Sequence, residues 1–215
     1  MASNVFGNPI TNQTLEAMPK YEGKTITRLD RATEAINMKN DGGKDKDVRA
    51  YVDSLKQKWG TGVSTLCLFY NATGDPITFI CDHNWHGHIG PDPYPLKIAN
   101  GQWGGFLHVK TSGVATGSSA AVVYRGQNNN DIHCDWMAAW SNPWNRTFWS
   151  NTAFTEIREE GHYDTQDNWD YISNLVYESG LSKIYEWNGC KSSVITGNST
   201  SPEFETIFTL SGVTF

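Results

Sequence analysis

Four large aromatic side chains fall within ten consecutive residues of the segment 140–151, whose sequence is WSNPWNRTFWSN. They are Trp140, Trp144, Phe148 and Trp149. The intervening Ser, Asn, Pro, Arg and Thr residues favour irregular, partly hydrated structure, because a fully buried strand would be a run of Val, Ile and Leu. Aromatic rings presented in this way bind sugars, quaternary ammonium groups or membrane interfaces. The alternative is an aromatic corner in the core of a β-sandwich.

The second group of residues with potential chemistry is the cluster His83-Asn-Trp-His86-Gly-His88. Two or three imidazoles from such a segment could hold one metal ion, with Asp82 or Asp92 completing the ligand set. The Gly and Pro residues within and after the cluster predict a loop at residues 83–94. Because a complete ligand set is not visible in the sequence, we predict no metal and no cofactor, and keep the three histidines as the alternative metal ligands.

Patterns typical of hydrolases and nucleotide-binding enzymes are absent from the sequence, which has no GxSxG, HExxH or glycine-rich phosphate loop. The acidic stretch at residues 156–164 is better explained as a solvated strand edge. His133 and Cys134 are adjacent, so on a strand they point to opposite faces and cannot form a catalytic dyad. We therefore predict that the protein is not an enzyme. The alternatives are a metal-dependent enzyme centred on the histidine cluster and a soluble stress or storage protein without lipid binding.

Composition and charge restrict the classes of molecule to which the protein could bind. The net charge of −6 disfavours nucleic acid, which needs a concentrated basic face. No run of about 18 apolar residues is present, so no transmembrane segment is expected. The first residues lack a basic flank followed by an apolar run, which predicts a cytoplasmic protein that meets membranes only peripherally. The four cysteines include no CxxC pair and are expected to be reduced thiols.

The first 60 residues have a helical pattern. Thr27, followed by Asp30, forms a capping-box signature before a helix at about residues 28–39. A second helix, at about residues 47–59, carries an apolar stripe at i, i+3, i+4 and i+7 spacing. Such a stripe usually packs on the protein's own core, so we predict a helical hairpin that docks on the rest of the chain instead of inserting into a bilayer.

After Gly60 the pattern changes to short strands with frequent turns. Residues 63–70 and 77–81 predict an antiparallel pair, and residues 168–177 predict a short inserted helix. Further strands are predicted at residues 96–99, 104–109, 120–124, 135–139, 153–158, 192–195 and 205–210. The sequence thus predicts a mainly β, two-sheet β-sandwich at residues 61–215 with an N-terminal helical extension at residues 1–60, together forming a single structural unit.

From Tyr94 onward the sequence resembles the actinoporin family of membrane-binding β-sandwich toxins. The segment Ser141-Asn-Pro-Trp144 and the later pair Ser150-Asn151 match the family's Ser-x-Pro-aromatic and Ser-Asn segments. Upstream, residues 113–124 resemble the family's glycine turn and following strand. The nakanori-type fungal lipid-binding lectins share this fold, so the resemblance implies an actinoporin-like sandwich.

The same resemblance implies a headgroup site. In the family, phosphocholine lies between aromatic rings above a floor that contains Ser and Pro. The matching floor residues here are Ser141 and Pro143. Tyr171 and Tyr177 fall on the predicted helix, where the family places headgroup-binding tyrosines.

Over nearly its whole length the chain resembles the jasmonate-induced proteins of amaranth-type plants, through residues 70–79, 83–90 and 136–146. This resemblance implies a stress or defence setting and no particular activity. Arg146, Thr152 and Ala153 replace bulky residues of the toxins, and the charge-rich N-terminal hairpin replaces their short amphipathic helix. Lipid binding is therefore expected and pore formation is not.

We predict a non-enzymatic stress- or defence-associated recognition protein that binds a membrane lipid headgroup, of phosphocholine or sphingolipid type, or a glycan. The predicted ligand-binding residues are Ser141, Pro143, Trp144, Phe148, Trp149, Tyr171 and Tyr177. A cation over an aromatic ring gains about 0.5–2 kcal/mol, so useful affinity requires several sites, either on one membrane or in a homo-oligomer.

Overall fold

The computed structural model describes residues 4–214. The start of the N-terminal segment on which the cytoplasmic prediction depends, residues 1–3, lies outside the described residues. The helices are α1 (Asn12–Glu16), α2 (Arg28–Asn37), α3 (Lys44–Trp59) and α4 (Gln166–Tyr177). The strands are β1 (Val5–Phe6), β2 (Ser64–Ala72), β3 (Ile77–His86), β4 (His88–Ile89), β5 (Lys97–Ile98), β6 (Trp103–Val109), β7 (Ser118–Gln127), β8 (His133–Asn142), β9 (Thr152–Glu159), β10 (Ser182–Trp187), β11 (Cys190–Thr196) and β12 (Glu203–Leu210).

The strands form two facing sheets, which confirms the predicted sandwich. The first sheet has seven strands in the order β1-β6-β2-β12-β11-β10, with β4 also paired to β6. The second has five strands in the order β5-β3-β7-β8-β9. The prediction that β2 pairs with β3 is wrong, because the chain crosses between the sheets at residues 73–76. Asn71 holds this corner, since its side-chain amide donates to the Asp75 and Ile98 carbonyls at 2.8 Å each.

The core between the two sheets is strongly aromatic. Trp140 packs there against Phe106 and Phe204, with ring centroids 6.1 and 5.2 Å apart. Trp140 is only 1% exposed, so its predicted place in a surface cluster is wrong. The cause is strand alternation along β8, in which Trp140 faces the core while Ala139 and Ser141 face the opposite side of the sheet.

The N-terminal helices cover the outer face of the first sheet, which confirms the predicted docking. The capping box of Thr27 and Asp30 begins α2 as predicted. Buried residues of α3 pack with those of β2 and β6 in one apolar cluster. At one end, Arg28 and Arg31 both pair with Asp75, at 2.6 and 2.9 Å. The short β1, absent from the sequence prediction, adds the N-terminal segment to the sheet beside β6.

Helix α4 covers the outer face of the second sheet, where Trp169, Ile172 and Val176 are buried. The prediction of a loop at residues 83–94 is wrong as far as Ile89, because β3 continues to His86 through two register shifts and β4 follows at once, and it is correct from Gly90. The bulges allow extra residues within the paired strand, which a simple alternation pattern does not detect. No helix in the described part of the chain combines the length and apolar character needed to cross a bilayer.

Candidate functional site

One end of the sandwich presents exposed aromatic rings. The connection between β8 and β9, residues 143–151, carries three of the rings predicted from sequence. Trp144, Phe148 and Trp149 are 52%, 78% and 63% exposed, respectively. Rings that gain so little from burial in the folded chain remain available for contact with a ligand.

The connection is fixed to its neighbours although its rings are exposed. The Asn151 side-chain amide donates to the carbonyl oxygens of Gly197 and Ser199, at 2.8 and 2.9 Å. Arg146 donates to the side-chain oxygen of Asn198 at 3.0 Å. Both attachments lead to the turn between β11 and β12. The rings therefore lie on a segment that hydrogen bonds hold in place at Arg146 and at Asn151.

A row of three hydroxyl side chains crosses the second sheet next to this connection. Ser119 pairs with Ser141 in the β7–β8 register, and Ser141 pairs with Thr152 in the β8–β9 register. Directly opposed residues share a face. The neighbouring row, Ala120, Trp140 and Ala153, lies in the core, so the hydroxyl row faces the α4 side.

This hydroxyl row is polar but poorly partnered. All three side chains are buried, and the oxygens of Ser119 and Thr152 have no hydrogen-bond partner. A buried hydroxyl without a partner costs about 1–3 kcal/mol. These two hydroxyls lie in one row at the edge of the exposed aromatic segment. An acceptor atom of a ligand could accept the hydrogen bonds that they do not make within the protein. Sequence analysis identified Ser141 and missed the other two, which only strand register brings beside it.

The C-terminal end of α4 reaches the same end of the sandwich. The Ala153 amide donates to the Gly180 carbonyl at 2.9 Å, which fixes the chain just after the helix beside the start of β9. Tyr177, the last residue of α4, is exposed there, as is Leu181. Tyr177 therefore lies at the same end as the connection between β8 and β9, and its role in ligand binding stays a prediction.

Tyr171 lies on a different face of α4 from Tyr177. Six residues at 100° each put its side chain about 120° around the helix from Tyr177. Its hydroxyl donates to Glu156 at 2.9 Å and lies 3.3 Å from His162 Nε2. Burial, followed by the nearby Glu156 carboxylate, raises the pKa of Tyr171 to about 12. This hydroxyl already has partners, in contrast to the hydroxyl row.

The connection between β6 and β7, residues 110–117, completes this surface. A Cβ atom on Gly117 would lie 2.0 Å from the Asn142 carbonyl oxygen, so only glycine allows the two connections to approach this closely. The Lys110 ammonium donates to the Val114 carbonyl at 2.9 Å, and the Val114 side chain is exposed. We call the resulting surface the aromatic end; its exposed members are Val114, Trp144, Phe148, Trp149, Tyr177 and Leu181.

The histidines of the predicted metal cluster separate along β3 and β4. The His83 ring stacks on Trp169, with centroids 4.9 Å apart and planes 7° from parallel, and burial lowers the pKa of His83. His88 Nδ1 lies 2.7 Å from the Ile89 carbonyl oxygen. Within residues 4–214, no three His, Cys, Asp or Glu side chains are grouped so that they could hold a metal ion.

A Ser–His–Asn arrangement is present but closed to ligands. His108 Nδ1 lies 2.8 Å from Ser118 Oγ, and His108 Nε2 lies 2.8 Å from Asn84 Oδ1. Burial lowers the pKa of His108 to about 3, so the ring is neutral at ordinary pH. Because Ser118 and His108 are both fully buried, a substrate could not reach this serine. The arrangement therefore serves as a polar link between the sheets.

Comparison with known proteins supports the resemblance. A family model described as Nakanori-like protein matches residues 6–211. A 23 kDa jasmonate-induced protein of Hordeum vulgare is 44% identical over 210 residues, which is 97% of this chain and 98% of that protein. A jasmonate-induced protein homolog of Atriplex canescens is 34% identical over 110 residues, covering 51% of this chain and 58% of that protein.

Among solved structures, the crystal structure of the lipid binding protein Nakanori matches with a TM-score of 0.87 and 32% identity. The match covers 95% of this chain and 98% of that chain. The sandwich and both outer helical layers are thus features of a known fold, and the resemblance to jasmonate-induced and nakanori-type proteins is confirmed.

Proposed function

The chain belongs to the Nakanori-like family, and we propose that it is a non-enzymatic, stress-associated protein that binds a zwitterionic lipid headgroup at the aromatic end. The observation that carries this proposal is the juxtaposition of unpartnered buried hydroxyls with exposed aromatic rings at one end of the sheet. The lipid-binding title of the similar Nakanori structure supports the lipid class. The name of the Hordeum vulgare relative supports the stress setting.

Each half of a phosphocholine group has a matching feature. The hydroxyls of Ser119 and Thr152 are buried, so a phosphate oxygen would accept their hydrogen bonds only once the side chains above them move aside; the contact would then remove the cost of leaving them unpaired. A quaternary ammonium group would lie against the faces of Trp149 and Tyr177, gaining about 0.5–2 kcal/mol per ring. Ser141 and Pro143 lie in the floor, and Trp144 and Phe148 extend into the membrane interface. Tyr171 contributes indirectly, by fixing α4 through Glu156.

Charge favours a zwitterionic partner. The chain carries a net charge of −6, and an anionic leaflet attracts basic segments. Rings of Trp, Tyr and Phe partition into the interface of neutral membranes without needing basic residues. We therefore propose peripheral association of a cytoplasmic protein with a phosphocholine-containing surface. Several copies on one membrane, or a homo-oligomer, would supply the avidity that a single weak site lacks.

Co-sedimentation with vesicles tests the proposal. Binding should occur with phosphatidylcholine and with a phosphocholine sphingolipid, and fall at least tenfold for Trp149→Ala and for the double variant Ser119→Ala, Thr152→Val. Ile132→Ala is the matched control, because Ile132 is 50% exposed in the connection between β7 and β8, at the opposite end of the sandwich from the aromatic end. Unchanged binding in both site variants would refute the site.

Glycan binding is the competing outcome, since aromatic rings also stack on sugars. Free phosphocholine should compete with vesicles, whereas mono- and oligosaccharides should not. Competition by a sugar alone, lost in Trp149→Ala, would replace the lipid headgroup with a glycan at the same rings.

A further inference from the structure

Two cysteine side chains meet across the core at the end of the sandwich opposite to the aromatic end. Cys134 is the second residue of β8 in one sheet, and Cys190 is the first residue of β11 in the other. Both are fully buried in the core between the sheets, and all four cysteines of the chain are free thiols. Each thiol donates to the backbone carbonyl two residues earlier, Cys134 to Ile132 at 3.7 Å and Cys190 to Asn188 at 3.8 Å, and the two side chains are close enough to influence each other's pKa.

The surroundings make the two thiols chemically unequal. The neighbouring Cys190 thiol lowers the pKa of Cys134, outweighing burial, and contacts from Asn188 and the Asn128 backbone act in the same direction. The Cys134 thiol, together with burial, raises the pKa of Cys190. Because the thiolate is the nucleophile in thiol oxidation, Cys134 is the sulfur expected to react first and Cys190 the one that resolves the product.

The pair lies just beneath two surface turns. The Asn188-Gly189 turn joins β10 to β11, with Trp187 and Cys190 paired on either side of it. The connection between β7 and β8 ends at Ile132, two residues before Cys134, and the Asn128 side-chain amide donates to the Asn188 carbonyl at 2.9 Å across the two turns. Arg28 also holds the connection between β7 and β8, through the Asn128 carbonyl and Asp131, so a small oxidant reaches the sulfurs when these contacts and the Asn128–Asn188 hydrogen bond open together, without separation of the strands.

We propose that Cys134 and Cys190 form a reversible redox site, which a peroxide converts into a disulfide joining the two sheets. The Cys134 thiolate attacks one peroxide oxygen, forming a sulfenic acid and releasing hydroxide, which takes up the proton lost from the Cys134 thiol. Cys190 then attacks the Cys134 sulfur, the S–S bond forms, and the sulfenic oxygen leaves as water with the Cys190 proton. In total, two thiols lose two electrons and two protons, and one hydrogen peroxide becomes two waters.

The disulfide would stabilise the fold, since it closes a long loop of the unfolded chain between strands of different sheets. A rise in Tm of about 10 °C is expected for a chain of this size. A dithiol reductant would reverse the change. The aromatic end is not involved, so lipid binding should persist in both redox forms.

The test uses the reduced full-length protein, treated with increasing hydrogen peroxide, quenched with an alkylating agent and examined by intact mass and peptide mapping. Loss of two hydrogens, a Cys134–Cys190 peptide and a dithiol-reversible rise in Tm are expected. A Cys67→Ser, Cys81→Ser variant should give the same result, whereas Cys190→Ser should stop at an alkylation-resistant Cys134 oxidation product without the Tm change. Absence of the Cys134–Cys190 peptide while the protein remains folded, or pairing through Cys67 or Cys81, would overturn the proposal; the wild-type measurement decides this even if a variant does not fold.

Discussion

Acid should destabilise this protein through His108, and the size of the effect can be worked out from the buried site. Burial lowers the pKa of His108 from 6.5 to about 3. Below pH 6.5 the unfolded chain takes up a proton at this residue and the folded chain does not. The contribution of His108 to stability is therefore complete above pH 6.5 and is lost as the pH falls, until the folded ring also titrates near pH 3.

The loss amounts to about 1.4 kcal/mol for each pH unit below 6.5, or about 3 kcal/mol at pH 4.5. Native domains have only about 5–15 kcal/mol of stability, so this change is easily measured. Carboxylates contribute little in most of this window; Glu34 and Glu159, whose pKa values are lowered from 4.5, begin to lose stabilisation only at its acid end, in wild type and variants alike. Asp30, for example, has its pKa lowered by hydrogen bonds from Thr27, so its stabilisation is lost only as the pH falls below its ordinary value of 3.8.

Urea unfolding at pH 7.5, 6.5, 5.5 and 4.5, followed by circular dichroism, measures the effect. His108→Gln should be less stable at pH 7.5, because it breaks the link to Ser118 and Asn84, but should lose about 3 kcal/mol less than wild type between pH 6.5 and 4.5. His86→Gln, at an exposed position of β3, is the control and should follow the wild type. His83, whose pKa is also lowered by burial, is present in all three proteins and cancels in the comparison.

An equal pH dependence for wild type and His108→Gln would refute the argument. If the variant does not fold, proton NMR of the wild-type imidazoles decides the matter. The His108 ring should not titrate between pH 7.5 and 4.5. A midpoint near 6.5 would mean that the ring is hydrated and is not the neutral link described here.

Three further predictions concern the aromatic rings and the N-terminal segment. Trp144→Ala and Trp149→Ala should abolish vesicle binding while changing Tm by no more than a few degrees, because both rings are exposed; unfolding of either variant in a thermal melt would mean that they belong to the core. Trp140→Ala should cost about 3–5 kcal/mol of unfolding free energy in urea titrations, since the ring is enclosed by the core, and a loss below 1 kcal/mol would contradict its burial. Vesicles that bind the protein should retain an entrapped dye, because α2 and α3 are packed on the sheet; rapid leakage would show that the N-terminal segment inserts.

Much of the fold could be predicted from local patterns. The capping box at Thr27 and the stripe of α3 specify their helices through contacts within a few residues, and both helices are present. The alternation of β7, β8 and β9 likewise predicts strands. The true partners of β2 and β3, which lie in different sheets, could not be predicted in this way, because strands adjacent in sequence form a hairpin or cross to the opposite sheet depending on packing that local sequence does not encode.

The candidate site could likewise be predicted only in part from local sequence. Exposed rings at Trp144, Phe148 and Trp149 follow from their polar neighbours in the sequence, whereas Trp140, four residues earlier, belongs to the strand and is buried. Ser119 was not predicted as a site residue, since a serine in an apolar strand has no distinctive sequence pattern. Its importance depends on the β7–β8 register, which places it beside Ser141, and on the absence of a hydrogen-bond partner for its oxygen.

Among residues 4–214, most of the buried side-chain atoms without a hydrogen-bond partner lie near the aromatic end, with Trp136 Nε1 an exception nearer the other end, and this difference supports the proposed site. At the end away from the aromatic rings, Arg28 contacts Asp75, Asp131 and Gln127, so its guanidinium is surrounded by partners from two connections and the end of β7. Such a saturated network holds elements together and has little to offer a ligand. At the aromatic end, buried hydroxyls lack partners and large rings face solvent, both of which cost stability in the free protein. A membrane surface that supplies acceptors and apolar contact removes both costs at once, so the least satisfied end of the fold is the one expected to bind.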